Sequence, residues 1–298
     1  MSLRLIPLFL ALAWGLNWPA VKIALSALAP FTLRAVGLGS GALLLLLLLV
    51  WQRKRLLPPR SAWPGVVVGG LLTIAVFNLA TAWAQLSTTT SRAAVMTFTM
   101  PMMSALLSWW WLGDKPDRHR TLALALGTAG VAVLAWPVLS AILQGGDTRL
   151  LKGLAFPLIA AAGWSSGTVI LKRWPVEGDR IVITAWQLLI GAAAGAAGAL
   201  LTGEPVPAWP LPARVSAALL FHIVIGTALA YWAWFVLSER VSPTVSSLTT
   251  LMVPVVGVLG AMALVGDRPA ALDWLGFALV LGGAALVLLK LPSRSRSR

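Results

Sequence analysis

Ten long hydrophobic runs fill this chain, near residues 5–26, 30–51, 63–86, 93–112, 121–139, 153–172, 181–202, 214–237, 244–265 and 271–291. Each approaches the roughly 20 apolar residues that an α-helix needs to cross a hydrocarbon core, and short polar stretches separate them. The pattern predicts an all-α integral membrane protein with ten transmembrane helices. Polar positions inside the runs are few, and they keep helical spacing. In the third run Asn78, Thr81 and Gln85 stand at i, i+3 and i+7, on one face. In the first, Trp14, Asn17, Trp18 and Val21 share a face in the same way.

The second half of the chain repeats the first. At an offset of 153, Thr97, Pro101, Leu106, Gly113, Asp114, Pro116, Leu126 and Gly130 return as Thr250, Pro254, Leu259, Gly266, Asp267, Pro269, Leu279 and Gly283. Trp14 and Lys22 return as Trp164 and Lys172 at an offset of 150. Five runs per half is an odd number, so the second copy must cross the bilayer in the opposite sense. The expected organisation is a first five-helix repeat over 1–140, a second and inverted one over 150–291, and a basic cytoplasmic tail over 292–298. Inverted repeats of this kind are a transporter signature, with the substrate held between them near the midplane.

Composition agrees, since 59% of residues are hydrophobic and 11% charged, against about 25% charged in soluble proteins. The net charge of +14 would suit nucleic acid, but the basic residues lie in short loops and the tail rather than on one soluble face. Placing the N-terminus inside puts 16 of the 23 Lys and Arg residues on the cytoplasmic side. Both ends are therefore expected in the cytoplasm, in a multi-pass protein of the cell inner membrane. The partners expected are a small-molecule substrate and the lipid bilayer, without nucleic acid; the oligomeric state is left open, with a monomer allowed. The first run carries Trp14, Asn17 and Lys22 without a small-residue cleavage site, and reads as a helix rather than a signal peptide. With no cysteine, disulfides, thiolate metal sites and thiol catalysis are excluded.

Adding 153 to Asn78, Thr81 and Gln85 gives Tyr231, Trp234 and Ser238, so both copies keep a hydrogen-bonding and aromatic stripe on one face. A face repeated across a pseudo-twofold points inward more readily than toward lipid. Trp14 and Trp18 fall about 14 to 20 Å along the first helix, too deep for an interfacial belt, whereas Trp51, Trp63, Trp136 and Trp209 sit at run ends as anchors. The expected substrate-binding residues are Trp14, Asn17, Trp18, Phe77, Asn78, Thr81, Gln85, Thr97, Trp164, Thr168, Tyr231, Trp234 and Thr250. Pro101 and Pro254 are the expected hinges, because a mid-helix proline removes a backbone bond and frees a carbonyl. All nine carboxylates fall in loops or at run ends, and no acid lies at mid-membrane. Lys22 and Arg34 are placed near the outer ends, to snorkel or to meet a substrate carboxylate; His222 is read as a bonded packing residue. No metal site, no cofactor and no catalytic residue is expected.

The run Trp14-Gly15-Leu16-Asn17 followed by Lys22 resembles the opening helix of EamA-type members of the drug/metabolite transporter superfamily. Gly113-Asp114 and Gly266-Asp267 resemble that family's Gly-Glu turn, with Asp in place of Glu, and Asp273-Trp274-Leu275-Gly276 continuing to Gly282-Gly283 is similar to its glycine-rich last helix. The resemblance implies ten helices in two repeats around a central cavity, and a carrier of amino acids, other metabolites, sugar nucleotides or drugs. It is greatest to metabolite and amino-acid exporters, including the YddG-type exporters of aromatic amino acids. The expectation is a carrier exporting amino acids, aromatic or other apolar ones among them, or similar small metabolites by alternating access. The alternatives are a multidrug or sugar-nucleotide transporter and, with two His, no Cys and no buried acid pair against it, a membrane-embedded enzyme. The missing acids further predict a facilitator or exchanger without an obligatory proton.

Overall fold

The computed structural model describes residues 5–174, 176–234 and 243–288, without the side chains of residues 173 and 243–248. Ser238, the end of the eighth run and the tail over 292–298 lie outside the described residues.

Among the described residues all regular structure is helical. The helices are α1 (Ile6–Ala24), α2 (Pro30–Trp51), α3 (Arg60–Ser87), α4 (Thr90–Thr97), α5 (Met100–Leu112), α6 (Arg118–Leu143), α7 (Lys152–Arg173), α8 (Arg180–Thr202), α9 (Ala213–Trp234), α10 (Pro243–Val265) and α11 (Ala271–Leu288). Among the described residues eight stretches are long and apolar enough to cross a membrane, and α10 contributes the shorter apolar stretch Thr249–Val265. The chain is a multi-pass membrane protein.

Helix ends follow local chemistry. Prolines begin α1, α2 and α5, where the missing N–H is not needed. Asp117 and Asp179 cap α6 and α8, each accepting a backbone N–H of the first turn and placing negative charge at the positive end of the helix dipole. The repeated Gly-Asp turns close α5 and α10 in the same way. Gly113 and Gly266 have φ of +70° and +74°, and the following Asp114 and Asp267 N–H groups bond back to Ser108 O and Ala261 O at 3.3 and 3.2 Å. This left-handed closure favours glycine because it has no Cβ.

The fourth run differs from expectation. It begins at Thr90 and breaks at Phe98–Thr99 into α4 and α5, of 8 and 13 residues, neither of which spans about 30 Å alone. Pro101 therefore lies in the first turn of a new helix rather than in a mid-helix kink. Its repeat partner Pro254 is inside the uninterrupted α10, so the two prolines are not equivalent hinges. A second departure is shared by both halves: α3 widens to a π-helix over Gly70–Val76, and α9 does so over Phe221–Leu229. The two segments are related by the same offset of 153.

Close glycine contacts set the packing. In α8, Gly191, Gly195 and Gly198 meet Leu38, Ala35 and Phe31 of α2, so the pair runs antiparallel. Bonds at both ends hold it: Glu204 accepts the N–H groups of Phe31 and Thr32 at the start of α2, and Lys54 beyond its end pairs with Asp179 at 2.7 Å. In the same sense Gly130 of α6 meets Gly276 and Val280 of α11, while Gly283 meets Ala123 and Gly127. Helix α1 packs along α10 in parallel, Gly15 against Val256 and Pro19 against Gly260; α3 and α7 are antiparallel, Gly163 and Gly167 meeting Val76 and Thr73. Of the tryptophans placed as anchors, Trp51, Trp136 and Trp209 are exposed. Trp63 instead packs edge-on against Trp186, with ring centroids 5.0 Å apart.

Candidate functional site

Two cavities that share part of their lining lie among these helices. The inner one, about 130 Å³, is lined by Trp14, Asn17, Trp18 and Val21 of α1, Arg34 and Leu38 of α2, and Phe77, Asn78, Thr81 and Gln85 of α3. Phe98 and Met100 at the break, Trp164 of α7, His222, Gly226, Thr227 and Tyr231 of α9, and Thr250 and Val253 of α10 complete it. The outer one, about 430 Å³, shares Trp14, Phe98, Met100, Trp164, Tyr231 and Thr250 with the first, then runs to Asp114, Arg120, Lys172 and Leu288. It ends where α5, α7 and α11 end and α6 begins.

The opposite end is held shut by polar ties. The Lys22 ammonium donates to the carbonyl of Gln85. Asp267, in the turn between α10 and α11, accepts the N–H and hydroxyl of Ser91 at 2.7 and 2.9 Å, capping α4. Arg92 pairs with the buried Asp273 at 2.6 Å. Leu28, Leu33, Leu211 and Leu219 pack together beside them.

Rings from both halves wall the cavities. Trp14 meets Tyr231 edge-on at 5.9 Å and Trp234 at 5.5 Å, and Phe77 lies 5.0 Å from Trp164. Several of the polar members are tied to backbone or to one another. Asn17 Oδ1 lies 2.8 Å from His222 Nδ1, and because an amide oxygen only accepts, Nδ1 carries the proton in this arrangement. Asn78 donates to Ile74 O within the π segment of α3. Glycine makes room for this chemistry. A Cβ at Gly226 would lie 2.4 Å from Asn17 Oδ1, and one at Gly37 2.5 Å from His222 Nε2.

Of the residues expected to bind substrate, Trp14, Asn17, Trp18, Phe77, Asn78, Thr81, Gln85, Trp164, Tyr231 and Thr250 meet at the inner cavity. Thr168 and Trp234 line only the outer one, with Pro101. Thr97 lines neither: it is fully buried, its hydroxyl spent on its own helix. Pro254 also lines neither and is buried within α10. Arg34 is the largest correction. Rather than snorkelling, it is 2% exposed and points across to α3, donating from Nε to Asn78 O at 2.8 Å and from Nη2 to Thr81 Oγ1 at 3.0 Å. The π segments went unforeseen, although such segments concentrate at functional sites; the one signal was glycine and small residues at repeat-equivalent places.

Apolar helices around an aromatic-walled chamber that opens at one end and is tied shut at the other define a multi-pass membrane transporter. The comparison with known families then fixes the kind. The EamA-like transporter family matches residues 4–136 and again 151–289, and the chain belongs to that family. It is 30% identical to the uncharacterized transporter YvbV of Bacillus subtilis (strain 168), over 94% of this chain and 89% of that one. It is 28% identical to Protein PecM of Dickeya dadantii (strain 3937), over 87% and 83%. It is 25% identical to the WAT1-related protein At3g02690, chloroplastic, of Arabidopsis thaliana, over 94% and 67%. One solved crystal structure shares the fold with a TM-score of 0.64 at 22% identity, covering 96% of both chains.

Proposed function

We propose that this chain is a carrier of the inner membrane that exports amino acids with apolar or aromatic side chains, or similar small metabolites, by alternating access. In this reading the eight continuous spans, α10 and the α4–α5 pair make ten crossings, in two inverted five-helix repeats over 1–140 and 150–291. The antiparallel course of the repeat-equivalent pairs α2 with α8 and α6 with α11 supports it, because repeats related by an axis along the membrane normal would run parallel. Both termini are cytoplasmic, so the outer cavity faces the cytoplasm and the Asp267 end faces out. That is the conformation in which an exporter loads.

The observation that carries the reading is the inner cavity itself. Side chains from both repeats converge on it, its wall is mainly apolar and ring-lined, and its volume of about 130 Å³ is near the roughly 150 Å³ of an engineered cavity that takes up benzene. A chamber for one ring disfavours a sugar nucleotide, and the buried Arg34 guanidinium disfavours a cationic drug. Counterflow of labelled phenylalanine into proteoliposomes tests the function. Wild-type protein should show saturable counterflow, and Trp164→Ala or Tyr231→Ala should lose most of it while still inserting and eluting as folded protein. Normal transport by both variants would remove the site assignment; absence of counterflow for every apolar metabolite tried would remove the carrier.

A further inference from the structure

Three buried polar atoms of residues that line the inner cavity have no partner among the described residues, Arg34 Nη1, Gln85 Oε1 and His222 Nε2, and the first two together describe what the cavity takes. Arg34 uses Nε and Nη2 on α3, which leaves Nη1 without a hydrogen bond. Gln85, 1% exposed, lends its backbone carbonyl to Lys22 and keeps its side-chain Oε1 unpartnered. Gln85 follows Thr81, which receives Arg34, by one helical turn on the same face of α3. The guanidinium is thus held one helical turn of α3 from Gln85, and both residues line the same cavity. Burying a cation is costly unless it is paired, yet among the described residues no Asp or Glu lines the inner cavity and no ion pair includes Arg34. His222 Nε2 rests against Gly37 and, with the proton on Nδ1, is an acceptor rather than a donor.

Resting on the transport reading above, we propose that this pair is the head-group site of the carrier. Arg34 Nη1 anchors a substrate carboxylate, and Gln85 Oε1 accepts from a hydrogen-bond donor on the α-carbon beside it. The carboxylate neutralises the buried guanidinium, the α-donor satisfies the amide oxygen, and the side chain lies against Trp14, Trp18, Phe77 and Trp164. The donor is an ammonium in an α-amino acid or a hydroxyl in an α-hydroxy acid. With no acid among the described residues lining the cavity, the α-hydroxy acid leaves the site electrically neutral, and the zwitterion leaves its ammonium on a neutral acceptor. The hydroxy acid is therefore the tighter ligand.

Equilibrium binding to the purified protein, read by tryptophan fluorescence and independent of transport, tests this with four probes: phenyllactate, phenylalanine, phenylacetate and phenylalaninamide. Wild-type protein should bind phenyllactate most tightly, and removal of the carboxylate (phenylalaninamide) should weaken binding by roughly tenfold or more, the scale of one charged hydrogen bond. Arg34→Gln should erase the preference of phenylalanine over phenylalaninamide, and Arg34→Lys should restore part of it. Gln85→Leu should erase the preference of phenyllactate over phenylacetate while leaving the carboxylate preference intact. Because ratios between ligands are compared within each variant, a merely loosened fold would lower all four affinities and leave the ratios standing. Unchanged ratios in Arg34→Gln, or amide and acid bound equally by the wild type, would overturn the anchor. Tighter binding of phenylalanine than of phenyllactate would overturn the neutrality argument. If the binding pattern holds and proteoliposomes show no counterflow, the anchor stands and the carrier reading falls.

Discussion

Asp267 is the tie at the closed end whose loss should be easiest to see. Its carboxylate accepts two hydrogen bonds from Ser91, at 2.7 and 2.9 Å, joining the turn after α10 to the start of α4. A hydrogen bond to a charged group contributes about 1.5 to 3 kcal/mol. Both bonds are only partly buried, so solvent screening brings the pair down to about 2 kcal/mol. If the bonds exist only when this end is shut, Asp267→Ala shifts the equilibrium toward the open state by about 30-fold, since each 1.4 kcal/mol is a factor of ten. The chain has no cysteine, so a single introduced cysteine reports without background. Val21, 1% exposed at the inner cavity, is the position for it. In right-side-out cells expressing Val21→Cys, an impermeant maleimide added outside should label slowly, and addition of Asp267→Ala should raise the rate by about that factor. Ser91→Ala, which removes only the hydroxyl, should have a smaller effect. Labelling that is fast in the parent, or unchanged in the double variant, would refute the assignment of this end as the external gate.

Three further outcomes follow from the same geometry. Gly226→Ala places a Cβ 2.4 Å from Asn17 Oδ1; overpacking of this kind costs about 1 to 3 kcal/mol, and thermal unfolding in detergent should show a lowered Tm together with reduced ligand binding, whereas Gly282→Ala, with open space around it, should do neither. At Asp179 burial alone would raise the carboxyl pKa, but the Lys54 hydrogen bond and charge and the N-terminal N–H groups of α8 outweigh it and hold the pKa below the usual 3.8. The stability this contributes is present above pH 3.8 and is lost as pH falls through the lowered folded value. Asp179→Asn should flatten the acid limb of a Tm-against-pH profile, modestly because the pair is partly exposed; an identical limb would exclude the pair as its origin. Liposomes with neither a pH gradient nor a membrane potential should take up substrate to equilibrium, since Glu204, Asp267 and Asp273 serve as helix-end acceptors and an ion pair, and Asp114 at the far end of the outer cavity is paired with Arg120. Uptake that appears only with an imposed proton gradient would refute this.

Much of the site was legible because transmembrane helices restrict where polar and aromatic residues are tolerated. Asn78, Thr81 and Gln85 share a face by spacing alone, and the duplication of that face at Tyr231 and Trp234 identified the stripe that lines the cavities. Thr97 followed the same reasoning and fails, because a threonine hydroxyl in a helix can satisfy itself on the preceding turn, as it does on Ala93 O. Pro101 and Pro254 look equivalent in sequence. Whether a proline kinks a helix, starts one or is absorbed depends on neighbours that free or fill its carbonyl, and here they differ.

By itself the sequence determined most of the elements and their ends, the break of the fourth run at Phe98–Thr99 excepted: apolar runs of bilayer length, acids at helix starts, and glycine at the repeated Gly113 and Gly266 turns, all governed by interactions within a few residues. Tertiary structure decided what Arg34 does. Four residues into α2, it stands at a depth where a long cation can ordinarily reach water. Only the packing of α3 against it, with Asn78 O and Thr81 Oγ1 presented just beyond a π segment, turns the guanidinium inward. The hydrogen bonds that fix it come from residues more than 40 positions away, and no local pattern in the chain encodes that meeting.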